Sequence, residues 1–348
     1  MANRSVTRYS APYVPTAILP LTEQHVAVIG IDLGGTKVSG ARFALDGTIE
    51  DRVTPAAVEG RAGGQVGELI VAQARELIER AGREVRSVGV AIPGIYRART
   101  GTVWAPNIPG WDDYPLVAEL RASLASGIEV RVDSDRACAI LGEAWCGRAR
   151  GCRNAIFVAV GTGIGAGILC EGTVLRGVGD AAGAIGWLAL DRPYRPEYPS
   201  VGCFEYHASG PGIAAVARAL LDESPDYHGE LRNIDATQLT ARDVFAAYDT
   251  GDELATRVLD EAVEFWGMAI ANLVSLFNPE RIILGGGVFG PAARFLDRIR
   301  AEARQWAQPI SITQVEIETS ALGGDAVLHG AGALALRATK EYEREIEA

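Results

Sequence analysis

The chain has 348 residues, of which 48% are hydrophobic and 22% charged, and this ordinary globular composition excludes disorder as the main state. Its formal net charge of -11 argues against a surface that coats nucleic acid. No run approaches the ~20 apolar residues that cross a bilayer, and the N-terminus has no signal-peptide pattern. The five scattered cysteines favour reduced thiols. We therefore expect a cytoplasmic protein without membrane or nucleic-acid partners.

The chain opens with residues 1–24, rich in Pro, Ser and Thr, and we expect an extended arm there. A predicted strand over 25–32 leads into a first glycine loop, and a second strand over 38–45 returns from it. The tip of this loop carries Asp32, Gly34, Gly35, Thr36 and Lys37. It does not meet the P-loop pattern, because Thr36 precedes Lys37 and no helix follows.

Helices and strands then alternate up to residue 146. Periodicity predicts an amphipathic helix over 67–82 and a buried strand over 87–92 that ends at Pro93-Gly94. A loop over 104–111, a helix over 115–124 and a strand over 128–132 follow. Asp133, Ser134 and Asp135 then offer caps for a helix over about 136–146.

A second glycine loop, with Gly161, Thr162 and Gly163 at its tip, also lies between two strand-like runs. It fits a variant of the dinucleotide fingerprint, but that fingerprint must lead into a helix, and here a strand returns. Both loops are therefore predicted to be hairpin tips. Glycine lets backbone amides approach a phosphate closely, so two such tips can grip one nucleotide from both sides of a cleft.

The rest of the chain predicts further α/β structure. An irregular stretch over 176–185 and a proline-rich loop over 191–200 precede helices over 209–222, 241–249 and 252–277. Next come a strand over 281–284, a third glycine cluster at Gly285, Gly286 and Gly287, a strand over 310–318, and a helix from about Asp325. We expect an N-terminal lobe over 25–135, a C-terminal lobe over 136–330, and a final helix over about 331–348 that packs back on the first lobe.

Eight motifs in this order resemble those of one family. They are DLGGTK at 32–37, VAIPG at 90–94, APNIPGW at 105–111, SDRACAILGE at 134–143, VGTGIGAG at 160–167, GCFE at 202–205, ASGPGIA at 208–214 and ILGGGV at 283–288. The chain thereby resembles the ROK family of sugar kinases and sugar-responsive repressors. That family implies an actin/hexokinase-like (ribonuclease H-like) ATPase fold, with two α/β lobes around a cleft.

The resemblance also implies site residues. Asp32 would lie near magnesium and the phosphates of ATP, and Asp135 would be the catalytic base. Phosphate contacts would come from Gly34, Gly35, Thr36, Lys37, Gly161, Thr162 and Gly163, and adenosine contacts from Gly285, Gly286 and Gly287. Sugar contacts would come from Gly94, Asn107, Ser134, Asp135, Trp187 and Glu205.

Structural roles compete with several of these assignments. Asp135 is also a good helix N-cap, although Asp133 or Ser134 would cap equally well. The structural alternative for Lys37 is a solvated surface lysine, and for Asn107 it is a side chain that holds a turn. Glu205 would serve as a partnered surface acid. Thr162 is the least ambiguous of these residues, because a hydroxyl group among glycines has few packing roles.

The sequence departs from the family around the sugar pocket. The family carries GE-I-G-H and then a zinc motif, CxCGxxGC, but here Ala184 replaces the glutamate and Trp187 the histidine. Of the zinc cysteines only Cys203 remains, so we predict no structural zinc. Trp187 would offer an aromatic platform to a sugar ring or fill the volume vacated by zinc, and packing is the favoured interpretation. Ser134 and Ala137 replace asparagines.

The leading hypothesis is an ATP-dependent hexose kinase that uses magnesium, with Asp135 as the base for a primary hydroxyl, O6. A second hypothesis is a sugar-responsive transcription factor, but the stretch before the first strand is too short for a DNA-binding domain. A third is a degenerate relative that binds sugar or nucleotide without transfer, motivated by Ala184, Trp187 and Ser134. The family also implies a homodimer.

Overall fold

The computed structural model describes the backbone of residues 26–347 and the side chains of residues 26–339. The arm predicted over 1–24 lies outside these described residues. Up to Ser134 the chain contributes strands β1 (Val26–Leu33), β2 (Lys37–Phe43), β3 (Ile49–Arg52), β4 (Ala56–Ala57), β5 (Glu84–Ile92), β6 (Ile95–Arg97), β7 (Thr102–Trp104) and β8 (Glu129–Ser134). All of them except β6 and β7, which form a separate ribbon, join one sheet.

The first sheet has the order β3-β2-β1-β5-β8, with β4 beside β2. Strands β1, β5 and β8 run parallel, and Asp32, Ala91 and Asp133 pair in register across them. Because parallel strands end at the same edge of a sheet, the chain beyond Asp32 and beyond Asp133 emerges on one side. Strands β1 and β2 form an antiparallel hairpin around the first glycine loop.

The second sheet contains β9 (Ala155–Val160), β10 (Ile164–Cys170), β11 (Thr173–Val174), β12 (Arg281–Gly285) and β13 (Glu316–Thr319), in the order β11-β10-β9-β12-β13. Strand β9 is parallel to β12 and antiparallel to β10. The second glycine loop therefore also joins an antiparallel hairpin. The prediction that both glycine loops are hairpin tips is confirmed.

The helices are α1 (Gly64–Glu79), α2 (Leu116–Ser123), α3 (Asp135–Cys146), α4 (Tyr198–Val201), α5 (Cys203–Ala208), α6 (Gly210–Glu223), α7 (Ala241–Asp249), α8 (Glu253–Phe277), α9 (Leu296–Trp306) and α10 (Ala326–Glu347). Helices α5 to α9 pack with the second sheet around one large apolar core. None of the helices within residues 26–347 is long and apolar enough to span a membrane.

Helix α10 packs on α3 and on strands β1, β5 and β8 of the first sheet. Glycines allow this contact, because a Cβ on Gly89 would overlap the carbonyl oxygen of Ala331, and one on Gly330 that of Cys138. The backbones of α10, α3 and β5 therefore touch without intervening side chains. The lobe boundaries predicted at residues 135 and 330 stay predictions.

The strand predicted over 310–318 is wrong in its first half. Ser311–Thr313 form a 3₁₀ turn, and β13 covers only Glu316–Thr319. The side-chain oxygen of Gln308 accepts hydrogen bonds from the backbone N–H groups of Ile310 and Ser311, at 2.8 and 2.6 Å. This local closure takes both amides away from any strand partner.

We predict that Gly330→Ala destabilises the fold by about 3 kcal/mol, because the added methyl group pushes α10 away from the backbone of α3. The loss should appear although alanine is the better helix former by about 1 kcal/mol. Urea denaturation measures the free energy of unfolding. The matched control is Gly64→Ala in α1, where the nearest atom to the new Cβ is 3.8 Å away. Equal stability of the two variants would contradict the close helix contact.

Candidate active site

Asp32 lies near the end of β1, just before the first hairpin tip. Burial raises the pKa of its carboxyl to about 7, with a further contribution from the Asp135 carboxylate, while Lys37 opposes the rise and Asp325 adds to it. The effects of the three charged side chains fall with distance, so Asp135, Lys37 and Asp325 lie near Asp32. Among the described residues, none donates a hydrogen bond to the Asp32 carboxylate.

Asp135 is the first residue of α3, two residues beyond the register position of Asp133 on β8. The helix cap is Ser134, whose hydroxyl oxygen accepts from the backbone N–H of Ala137 at 3.3 Å. Asp135 is thus not the N-cap, and among the residues that the structure describes its carboxylate accepts only from the backbone N–H of the next residue, at 2.7 Å. Burial raises its pKa, although the Arg136 charge opposes this.

The second hairpin tip gathers several elements of the second sheet. Its turn is closed by a hydrogen bond from Gly161 N to Gly163 O, and Gly161 O accepts from Gly210 N at the start of α6. The Glu205 carboxylate accepts from Ile164 N at 2.6 Å. A Cβ on Gly286 would overlap the carbonyl oxygen of Val160, so the third glycine cluster lies directly against this hairpin.

Both hairpin tips present their polar side chains outwards. Thr36, Lys37 and Thr162 are exposed, as are Gly35 and Gly163. Gly34 N closes the first tip by donating to Lys37 O at 2.9 Å. The hydroxyl groups of Thr36 and Thr162 and the Lys37 side chain are therefore accessible to a ligand.

Three further residues predicted to contact sugar lie in two places, the loop after β7 and helix α5. Asn107 is exposed in the loop after β7; the turn there is closed by Ile108 N donating to Ala105 O, and no described residue hydrogen-bonds the Asn107 side chain. Gly94, at φ 155, lies against the backbone of Trp104 at the base of this loop. Glu205 lies in α5, whose first turns pack against Gly186.

The favoured packing role of Trp187 is wrong. This side chain is 51% exposed, so it does not fill a core volume. The adjacent Gly186 approaches the Glu205 carboxylate, which places Trp187 on the surface beside it. Ala184 is exposed as well.

Two ion pairs at the site were not predicted. Arg176, in the loop after β11, makes a bidentate pair with Asp133, which is only 2% exposed. The pair ties the second sheet's loop to the end of β8. Asp325 precedes α10 and pairs with Arg52 of β3 at 2.6 Å. Of these four residues, only Asp325 lies in a sequence pattern that could have indicated the site, because it is an acid directly after two glycines, Gly323 and Gly324.

Magnesium and zinc need different sets of protein ligands. Magnesium takes one or two carboxylates and completes its shell with phosphate and water oxygens, and Asp32 supplies a carboxylate of this kind. A zinc site made by protein ligands alone needs about four. Within residues 26–347 no three His, Cys, Asp or Glu side chains converge to hold a metal.

Comparison with known proteins extends these observations. A family model described as "ROK family" matches residues 28–338. The glucokinase of Halalkalibacterium halodurans is 32% identical over 331 residues, which cover 92% of this chain and 96% of that protein. The xylose repressor of Caldicellulosiruptor bescii is 26% identical, over 92% of this chain and 80% of the repressor.

The fold has close solved counterparts. The crystal structure of a ROK family glucokinase from Streptomyces griseus, in complex with glucose and AMPPNP, matches with a TM-score of 0.72 at 27% identity. The match covers 89% of this chain and 99% of that one. It agrees with the expected actin/hexokinase-like ATPase fold. The family predicted from the motifs is confirmed, and the chain belongs to the ROK family.

Proposed function

We propose that the protein is an ATP-dependent sugar kinase that transfers the γ-phosphate to a primary hydroxyl of a hexose, O6. The observation that carries this proposal is the placement of Asp135. It is partly buried at the start of α3, released from helix capping by Ser134, and electrostatically coupled to Asp32 beside a glycine hairpin. The similarity to glucokinases supports ATP as donor and a hexose as acceptor.

Asp135 is the general base in this proposal. Phosphoryl transfer to an alcohol needs a carboxylate that accepts the hydroxyl proton while the oxygen attacks in line. A buried carboxyl with a raised pKa is a stronger base than one in water, so its burial favours this role. The backbone hydrogen bond from Arg136 fixes one carboxylate oxygen and leaves the other for the substrate.

The two hairpins would hold the triphosphate. Gly34, Gly35, Thr36 and Lys37 would contact it from the first sheet, and Gly161, Thr162 and Gly163 from the second, with Gly285, Gly286 and Gly287 near adenosine. Asp32 would hold Mg²⁺, which when bound neutralises charge on the phosphates. No described group neutralises Asp32 through a hydrogen bond, and this suits a cation ligand.

The sugar would lie near Asn107, Gly94, Ser134 and Glu205. Ser134 uses its oxygen as the helix cap, so its hydroxyl proton remains available to a sugar oxygen. The exposed Trp187 would present a ring face to the sugar, since aromatic rings pack on sugar faces through their apolar surface. We also propose a cytoplasmic homodimer with no nucleic-acid partner, as the family resemblance implies.

The proposed function is tested by ADP release with magnesium-ATP and a panel of hexoses, aminohexoses and N-acylhexosamines. We expect release that depends on one sugar class. The alternative outcome is binding of ATP and sugar without ADP release, and it is motivated by Ala184 and Trp187, which replace a glutamate and a histidine. That result would identify a binding protein of the same family and not a kinase.

We predict that Asp135→Asn lowers kcat by about 10²- to 10⁴-fold, because an amide cannot accept the hydroxyl proton. ATP affinity, measured by calorimetry, should stay near the parent value because Asp135 is not assigned to the nucleotide. The matched control is Asp235→Asn, in a loop where that carboxylate accepts hydrogen bonds from the backbone N–H and the hydroxyl of Thr237. Near-full turnover of the Asp135 variant would show that another group is the base.

We predict that Asp32→Asn stabilises the ligand-free protein at about pH 8 and has little effect at about pH 4. The folded pKa of about 7 exceeds the unfolded value of 3.8, so the folded state holds a proton that the unfolded chain releases. The free energy of unfolding therefore falls as pH rises through that window, and asparagine removes the fall.

Thermal unfolding across pH measures this effect. The control is Asp46→Asn, because the hydrogen bonds from Thr48 lower the pKa of the exposed Asp46, and its loss should change stability in the opposite sense. A pH-independent stability difference for Asp32→Asn would contradict a raised pKa of this carboxyl in the folded state.

A further inference from the structure

The residues around Cys203 do not fit the zinc motif of the family. If Cys203 is the last cysteine of CxCGxxGC, the two earlier cysteines fall at positions 196 and 198, which hold Pro196 and Tyr198. Trp187 stands where the family has its histidine. Zinc is bound by thiolate, imidazole or carboxylate, and three of these four positions offer none of them. Another interaction must therefore hold this region together.

A buried histidine lies four residues after Cys203, in the same helix. His207 of α5 is 5% exposed, and its Nε2 lies 2.9 Å from the hydroxyl of Tyr198. Its Nδ1 lies 2.9 Å from Oε1 of Glu261 in α8. The Tyr198 hydroxyl donates to Asp191 at 3.0 Å. We call Asp191, Tyr198, His207 and Glu261 the His207 clasp.

The protons of the clasp can be counted from these bonds. A phenol has one proton, and that of Tyr198 is donated to Asp191, so the Tyr198 oxygen accepts from His207 Nε2. Nδ1 faces the Glu261 carboxylate, and the ring thus bridges two acidic side chains, since Asp191 lies 3.4 Å from Nε2.

Packing reinforces the clasp. The Phe265 ring of α8 stacks on His207 with centroids 4.3 Å apart and an angle of 9°. Tyr206 meets His207 and Tyr198 edge-on, and the Arg195 guanidinium lies over the Tyr206 ring at 5.7 Å. These contacts fill with aromatic rings the space beside Cys203.

We propose that the His207 clasp holds the proline-rich loop, α5 and α8 together without metal, in place of the family's zinc, and that its members are positioning residues for the active site. The link to the site runs through α5. Glu205 lies two residues before His207 and accepts the hydrogen bond from Ile164 N at the second hairpin tip. A loosened α5 would release both Glu205 and that hairpin.

Tyr198→Phe tests the clasp, because it removes the hydroxyl and keeps the ring contacts. Hydrogen exchange of backbone amides over 191–208 should quicken by about tenfold or more, because the variant loses the hydrogen bonds of the hydroxyl to both Asp191 and His207. The matched control is Tyr194→Phe, at a side chain that is 72% exposed. Equal exchange in the two variants would overturn the proposal.

The metal is tested on the parent protein. Purified full-length chain should contain substoichiometric zinc, and its melting temperature should be the same with and without a strong chelator. Stoichiometric zinc whose removal lowers the melting temperature would overturn the proposal.

One further measurement rests on the proposed function. In the ADP-release assay Tyr198→Phe should raise KM for the sugar several-fold and leave kcat and KM for ATP near the parent values, because Glu205 is assigned to the sugar. Unchanged sugar KM would overturn the positioning role. If the parent releases no ADP, the kinase proposal fails, while exchange and chelation still decide the clasp.

Discussion

The direct backbone contact between α10, α3 and the first sheet is the constraint on which the site depends. Glycines at the crossing points, among them Gly89 and Gly330, let α10 lie against β5 and α3 with no side chain between. This contact fixes the positions of the N-terminal ends of α3 and α10 relative to the first sheet. Asp135 starts the first of these helices and Asp325 precedes the second, so the contact brings both acids towards Asp32 at the end of β1.

Burial of these carboxyl groups is unfavourable, and the fold treats them in two ways. Asp133 is deeply buried and is neutralised by the bidentate Arg176, so it serves to tie the two sheets. Burial raises the pKa of all three carboxyl groups. Among the described residues, however, only Asp133 of the three is hydrogen-bonded to an arginine. This difference in partners separates a structural acid from the two proposed functional ones, because perturbed acids without a structural partner are typical of functional sites.

Local patterns predicted the parts of the fold that depend on neighbouring residues. The glycine hairpins followed from strand periodicity and the absence of a following helix, and the choice between caps at residues 133–135 was left open. Periodicity failed at Ile310, where one glutamine side chain closes a turn. Pairings between distant segments, such as Arg176 with Asp133 or His207 with Glu261, leave no local pattern, and neither does the exposure of Trp187. Family motifs indicated Asp32, Asp135 and the glycine loops, but they say nothing of what replaces missing residues.

The central claim is that Asp135 promotes transfer of phosphate to a primary hydroxyl of a sugar. Its most direct test is proton-coupled ³¹P NMR of the reaction with magnesium-ATP and a hexose. The account predicts a new phosphomonoester signal split by two methylene protons, and its absence in Asp135→Asn. A signal split by a single proton would place the phosphate on a secondary hydroxyl, and inorganic phosphate alone would show ATP hydrolysis; either result would contradict the account.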